Sequence, residues 1–273
     1  MKTFYKPFLV GFLATVAIMT GSGARAQEAP SSDRHAISGS IAAGVATVPD
    51  YEGAKQQRLI PLISGEVHWG ERYFAIEGTS ARLNMLNSRT IEFGPVANLT
   101  FGRDAKVQPL SIRGLGQVND AYELGAFAAV KTRSLLRDGD ELRLRVQVTR
   151  DISNVHDGWT YETALGYRIP VTHRFTVATE TSVRFADSNY AATYFSITPE
   201  QAATSGLRTY TAKGGVKDVG TSLTVAYALS RRWSLIGFSG YRRLVGNFEN
   251  SPVVRDVGRA DQFSGGIGIG FRF

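Results

Sequence analysis

The sequence DQFSGGIGIGFRF, residues 261–273, alternates strictly between two kinds of side chain. Because successive side chains of a strand point to opposite faces, it predicts a strand with one apolar face and one small or polar face. In water such a strand is an aggregation-prone edge, but in a bilayer it is typical of the closing strand of a barrel, with aromatic residues in the interfacial girdle. The apolar set is Phe263, Gly265, Ile267, Ile269, Phe271 and Phe273, and the opposite set is Gln262, Ser264, Gly266, Gly268, Gly270 and Arg272.

The first 26 residues have the features of a secretory signal peptide. Two lysines precede an apolar stretch at residues 8–20, and Ala24-Arg25-Ala26 supplies a small-x-small cleavage motif. The apolar stretch is shorter than the roughly 20 residues of a membrane-spanning helix. We therefore expect residues 1–26 to be removed, which leaves residues 27–273 as a single domain.

Composition narrows the function classes. Without residues 1–26 the chain keeps 28 basic and 24 acidic residues, a net charge of +4 instead of +7, and it has no basic run, so nucleic-acid binding is not expected. The absence of cysteine excludes disulfides and thiolate metal sites. Beyond the leader, no apolar run approaches the length of a membrane helix, so a membrane-spanning chain of this kind must be a closed barrel.

Most of the remaining sequence alternates with a period of two, in stretches of nearly ten residues. Long connectors at residues 49–57, 103–120, 187–217 and 246–259 alternate with short ones, as outer loops and periplasmic turns do. A soluble sandwich also has regular strands and turns. The length of the apolar faces and the charges on the polar faces favour an all-β, antiparallel, up-and-down transmembrane barrel.

The number of strands depends on residues 72–102. Two short strands at residues 73–78 and 80–87, followed by a longer one at 90–102, give twelve strands in total, but the first two are shorter than the roughly 9–11 residues of a spanning strand, so ten is the alternative. Pro61 and Pro95 fall within strands, where proline requires an edge or a bulge. The mixed parity of residues 233–244 predicts a bulge there.

One long loop carries a helix signal. Thr198 is followed by Pro199 and, three residues on, by Gln201, which is the capping-box pattern, and Gly206 can end the helix in a left-handed conformation. A short helix that organises the loop is expected, with a gate or a partner-docking element as the functional alternative.

Several loop motifs resemble the MipA/OmpV family along nearly the whole chain. They are Pro49-Asp50-Tyr51-Glu52-Gly53, Gly94-Pro95, Phe101-Gly102-Arg103, Glu123-Leu124-Gly125, the segment at residues 196–218, Asn250-Ser251-Pro252-Val253-Val254 and the terminal aromatic strand. The resemblance implies a barrel in the outer membrane of a Gram-negative bacterium, in contact with outer-membrane lipid. It also implies a non-enzymatic scaffold that links a lytic murein transglycosylase to a penicillin-binding protein. A narrow solute channel and a surface adhesin acting through the long loops remain alternatives, and the oligomeric state stays open.

Candidate chemical sites are weak. His156 lies near Asp151, Ser153 and Asp157, but in one connector where we expect solvated and mobile side chains instead of an aligned catalytic triad. The paired carboxylates at Asp50 and Glu52, or at Asp151 and Asp157, lie in exposed loops, where we expect them to be hydrated and not to bind a metal ion. The Gly266-x-Gly268-x-Gly270 run lacks the following helix that a phosphate site needs. We therefore expect no catalytic, metal or cofactor-binding residues.

Charged residues recur on the inward parity of the predicted barrel. Their opposite signs predict an interior ion-pair network that fills the lumen, and the functional alternative is a charged pore for small solutes. The set is Glu66, Glu77, Glu92, Glu123, Glu162, Glu180, Arg82, Lys131, Arg143, Arg145, Arg168, Arg184 and Arg272.

Overall fold

The computed structural model describes residues 37–105 and 107–273, and in this part of the chain the period-two segments form twelve strands. The predicted signal peptide, residues 1–26, lies outside the described residues and stays a prediction. The strands are β1 (Ile37–Pro49), β2 (Gln57–Trp69), β3 (Arg72–Glu77), β4 (Ser80–Asn84), β5 (Ile91–Thr100), β6 (Ala121–Arg133), β7 (Glu141–Asp151), β8 (Trp159–Pro170), β9 (Phe175–Ala186), β10 (Gly215–Ala228), β11 (Trp233–Leu244) and β12 (Asp261–Arg272).

Each strand pairs antiparallel with its neighbours in sequence, and β12 pairs with β1 to close the barrel. In this seam Gly44 lies opposite Gly268, and Gly39 and Phe273 exchange backbone hydrogen bonds of 3.2 and 3.1 Å. The up-and-down barrel and the count of twelve are thus confirmed for the described residues. Closure pairs both edges, so the terminal strand is not left as an exposed template.

The outer surface of the barrel is apolar. Ile267 and Ile269 of β12 and Ile41 of β1 are more than half exposed, and Leu124 of β6 is half exposed. An apolar area of this size would not be stable in water. It matches the lipid-facing band of a membrane barrel. None of the helices in the described residues is long and apolar enough to span a bilayer.

The two prolines lie where the hydrogen-bond ladder is interrupted. The pairing of β2 with β3 begins only at Ser64, so Pro61 lies on an unpaired edge. The pairing of β4 with β5 ends at Val96, just before Pro95. Beyond that point the buried side chain of Asn84 accepts the Phe93 N–H at 3.1 Å, which replaces a strand partner.

The predicted bulge in β11 is wrong. The pairing of β11 with both neighbours is continuous, and its mixed parity has a different cause: Phe238 faces inward and packs against apolar residues of β1 and β2. The register shift instead lies in β10 at Lys217, between Val216 and Asp218. Because of the extra residue, Lys217 and Asp218 both point into the barrel, although they are adjacent in sequence.

The long loops all leave from one end of the barrel, which we call the long-loop end, and the opposite end is the short-turn end. The helix predicted from the capping box is confirmed as α3, with both reciprocal hydrogen bonds of Thr198 and Gln201 and with Gly206 at φ 73°. The long loops contain further helical segments that the sequence patterns did not indicate. They are α1 (Leu110–Gly114), α2 (Ser188–Phe195), α4 (Gly246–Glu249) and a π-helical turn at Val253–Val257, and α3 spans Pro199–Ser205.

Candidate functional site: the capped lumen

The long loops fold over the mouth of the barrel and form a cap with its own apolar interior. One cluster packs Tyr190 and Phe195 of α2 against Phe248 of α4, and the rings of Phe195 and Phe248 meet edge to face at 5.1 Å. A second cluster joins Tyr51 of the first loop to Ile112 of α1 and Val253. The loops are therefore an ordered lid over the lumen.

Beneath the cap, the fully buried Asp218 is the centre of a charge cluster. Its carboxylate accepts hydrogen bonds from the Arg184 guanidinium at 2.8–3.0 Å and from Arg242, while Lys217 Nζ lies 3.9 Å away. Arg242 also donates to Ser182 Oγ at 3.1 Å. Three cations around one buried carboxylate require a second acid.

That second acid comes from the cap. Glu52 of the first loop accepts Lys217 Nζ at 2.6 Å and the Tyr190 hydroxyl at 2.8 Å, and it lies 3.8 Å from Arg184. Burial, and then the negative charge of Glu52, raise the pKa of Tyr190 well above its usual value, so the phenol stays protonated and keeps donating. Glu52 thus ties the cap to the wall of the lumen.

Two further groups of inward charges line the wall of the lumen below this cluster. Arg145 donates to Glu162 at 2.9 Å and to Glu180 at 3.2 Å. Nearer the short-turn end, Glu92 accepts Lys131 at 2.9 Å and Arg143 at 2.5 Å. The predicted ion-pair network is present, since opposite charges of the inward set are paired with one another.

The connector that holds His156 differs from the expectation of solvated, mobile side chains. His156 and Asp151 are buried, because the Asp151 carboxylate accepts several backbone N–H groups of residues 153–157 and organises the loop around itself. His156 Nδ1 accepts the N–H of Gly158 at 3.1 Å, and its Nε2 lies 3.4 Å from Glu123. Ser153 Oγ donates to Asp151 at 2.6 Å.

In this arrangement Ser153 is engaged by Asp151 and not by the imidazole, so the three residue types do not form a nucleophile, base and orienting acid. The acid beside the imidazole Nε2 of His156 is Glu123, which β6 contributes from a distant part of the sequence. Among residues 37–105 and 107–273, no group of three histidine, aspartate or glutamate side chains is placed to hold a metal ion.

Comparison with known proteins identifies the family. The family model described as MltA-interacting protein MipA matches residues 41–273. The chain belongs to the MipA family. It is also 23% identical over 130 residues to the outer membrane protein YiaT of Escherichia coli, in the K12 strain and in O157:H7, which covers 48% of this chain and 51% of that protein. The chain thus spans about half the length of the curated relatives it matches.

Among solved structures, the COG4313 outer membrane channel from Pseudomonas putida F1 has a TM-score of 0.47 at 13% identity, covering 90% of this chain and 100% of that one. Outer-membrane expressed OmpT of Vibrio cholerae has a TM-score of 0.39 at 9% identity over 90% of this chain and 100% of that one. The MipA-family match, the closed barrel and its apolar surface locate this chain in the outer membrane of a Gram-negative bacterium. The long-loop end then faces outward and the short-turn end faces the periplasm.

The lumen of this MipA-family barrel contains several cavities, two of which share a border. The larger, about 260 Å³, lies under the cap between the ion-paired arginines of β7, β9 and β11 and the small side chains of the opposite wall. The smaller, about 70 Å³, lies in the periplasmic half against the glycines of β12 and the Arg231–Arg232 turn. Glu77, which is ion-paired with Arg82, borders both cavities.

The sequence patterns missed the centre of the site. Asp218, Lys217 and Arg242 were absent from the inward set because the bulge at Lys217 and the mixed parity of β11 obscured their direction. Glu52 appeared only as a loop carboxylate. Two adjacent opposite charges at the start of an otherwise apolar strand were the available signal.

Proposed function

We propose that this MipA-family barrel is a non-enzymatic anchor that holds a lytic murein transglycosylase at the inner face of the outer membrane and links it to a penicillin-binding protein. The family description, which names an interaction with MltA, supports this proposal. Because ion pairs line the lumen and a packed cap covers it, we expect the surfaces of the barrel to bind the partner enzymes. The surface available to a murein enzyme is the short-turn end, which faces the periplasm.

The observation that carries the proposal is the periplasmic turn between β6 and β7, residues 134–140. It presents Leu136, 75% exposed, next to Leu135, which is also exposed. The buried Asp140 carboxylate accepts the backbone N–H groups of Leu135, Leu136 and Arg137 at 2.7–3.0 Å and the Tyr167 hydroxyl at 2.7 Å.

Burial alone would raise the pKa of Asp140, but the hydrogen bonds from Tyr167 and the three backbone N–H groups outweigh it and lower the pKa from 3.8 to about 2. The carboxylate therefore stays charged and holds the turn at any physiological pH. Apolar side chains on a preorganised turn lose little conformational entropy on binding, which favours a role as interface anchors.

The neighbouring periplasmic turns extend this surface. The connector between β4 and β5 exposes Met85 and the guanidinium of Arg89, and the turn between β8 and β9 exposes Val171. The combination offers a partner apolar pockets to fill and a positive rim. We name the surface formed by residues 85–90, 134–140 and 171–174 the periplasmic rim.

The test is retention of the two enzymes by the purified barrel in nanodiscs. We expect Leu136→Ser to weaken binding of the transglycosylase about 10- to 150-fold, because burial of a leucine contributes about 1.5–3 kcal/mol. The matched control is Leu110→Ser, since Leu110 is 76% exposed on the outer cap. Failure of the wild type to retain either enzyme, or equal binding by both variants, would count against the proposal.

A narrow solute channel is the second candidate, and the cavity of about 260 Å³ is the observation that favours it. In that case removal of cap contacts should increase flux, and wild-type proteoliposomes should swell in small sugars. The adhesin alternative predicts instead that Leu110→Ser, the control above, reduces attachment of whole cells to a surface.

A further inference from the structure

The wall of the barrel has an interruption in its outer half. β2 spans Gln57–Trp69, but β3 pairs with it only from Ser64, opposite Glu77, to Trp69. The chain then turns at residues 78–79 into β4, which pairs with β5. Within the described residues, the segment at residues 57–63 therefore has β1 on one side and no partner strand on the other.

The direction of the unpaired backbone groups follows from the register. Gly39 exchanges hydrogen bonds with Phe273 of β12, so odd-numbered residues of β1 point toward β12 and even-numbered ones toward β2. Val45 lies opposite Pro61, which consequently directs its backbone away from β1. Leu59, Pro61 and Ile63 thus present three carbonyls and, since proline has no N–H, two N–H groups to the interruption.

These polar groups lie at an apolar surface. The side chains of Leu59 and Ile63 point outward and are 68% and 46% exposed. An unpaired backbone group in hydrocarbon costs several kcal/mol, so the edge requires an occupant that can hydrogen-bond and is also compatible with lipid. Another strand is a poor occupant, because Pro61 removes the central donor of the edge.

The inner side of the interruption borders the larger cavity. Thr79 at its base, together with Leu99 and Phe101 on its far side, lines the cavity of about 260 Å³. The Arg58 guanidinium lies over the Phe101 ring, 4.8 Å from its centroid. Among the described residues, the Arg58 and Phe101 side chains lie across the interruption at this point, and side chains change rotamer without breaking the barrel ladder.

We propose that this interruption is a lateral binding site for a single-chain membrane amphiphile. The acyl chain lies along the outward side chains of Leu59 and Ile63, and the hydrogen-bonding head meets the free edge of β2 and enters the cavity past Arg58 and Phe101. Three strand spacings separate β2 from β5, about 14 Å between backbones, and Arg58 and Phe101 occupy the middle. This width suits one chain and not a lipid with several chains.

The test uses a lysophospholipid with a photoactivatable diazirine in its chain, added to the full-length barrel in nanodiscs, with adducts mapped by mass spectrometry. In the wild type we expect adducts at cavity residues such as Thr79 and Ser80, in addition to adducts on the outer belt. Phe101→Ala should increase the cavity adducts several-fold. Phe93→Ala removes an outward aromatic residue of β5 that does not line the cavity, and it should leave them unchanged.

A blocking variant supplies the converse result. Thr79→Trp fills the base of the interruption and should abolish cavity adducts while the belt adducts persist, with a heat-modifiable gel shift to verify the fold. Adducts confined to the belt in both the wild type and Phe101→Ala would overturn the proposal. Dimers cross-linked through residues 57–63 would also overturn it, because a second copy would then be the occupant.

Discussion

The cap can be loosened independently of the barrel by removing one ring. Phe248 is fully buried and packs edge to face on Phe195 within the cluster formed by α2 and α4. Phe248→Ala leaves a cavity in that cluster and should cost about 3–5 kcal/mol. Because the strands contribute little to this cluster, the lost free energy should lower the cost of opening the cap. The population of molecules with an open cap should then increase about 150- to 4,000-fold.

Hydrogen exchange followed by mass spectrometry measures this change. Amides of the cap, such as that of Ile197, which donates to Tyr210 at 2.8 Å, should exchange faster in Phe248→Ala by the factor above. Amides of β6 and β7 should be unaffected. The control is Phe185→Ala, which removes an outward, partly exposed ring from β9. Unchanged cap exchange, or equal acceleration in the strands, would refute the view that the loops form a separately packed lid.

Three other predictions concern single residues. Asp218→Asn leaves buried cations uncompensated and should destabilise the barrel by about 3–5 kcal/mol, whereas Asp261→Asn, in an exposed pair, should cost at most about 1 kcal/mol, measured by the midpoint of urea unfolding. Because the pKa of Asp140 is lowered, its carboxylate stabilises the 134–140 turn fully above about pH 4, and this stabilisation is lost as the pH falls through about 2. Hydrogen exchange in the turn of the wild type should therefore match that of Asp140→Asn only near pH 2. Gly53→Ala should destabilise the first loop by about 1–2 kcal/mol or more, measured by hydrogen exchange, because φ is +90° and the new methyl would lie 2.7 Å from a cap valine. Gly206→Ala is the control for backbone strain alone, because φ is +73° there and the new methyl would meet open space.

Much of the barrel could be predicted from the sequence because the alternation of side chains along a strand is a local property. Alternation in residues 261–273 determines which side chains face lipid, and the same rule identified most of the spanning strands. The short strands β3 and β4 were found by the same pattern, although their lengths of 6 and 5 residues left ten strands as an alternative. Pro61 indicated an edge or a bulge, and an edge is present because β3 ends early.

The errors arose where contacts depend on distant segments. The apolar inward Phe238 gave β11 a mixed parity that mimics a bulge, whereas the actual bulge at Lys217 left no clear pattern. His156 was expected to be solvated because it lies in a short connector. Its burial comes from Glu123 on β6 and from the rings of Tyr190 and Tyr194 in the cap, which no local pattern reveals.

The cap itself could be predicted least. The capping box identified α3 because helix termini are specified by a few adjacent residues. The packing of α2 against α4, and the reach of Glu52 into the lumen, depend on four loops meeting over the barrel mouth. Loop length indicated where such a structure could form but not that it would close the lumen.

The proposed anchor role requires that this MipA-family barrel is closed under its cap and acts through its surfaces. Single-channel recording of the wild-type protein in a planar bilayer tests it most directly. The ion pairs inside the lumen and the packed cap predict no steady conductance steps under moderate voltage. Reproducible, stepwise and long-lived openings of the wild type would contradict the account and favour the channel.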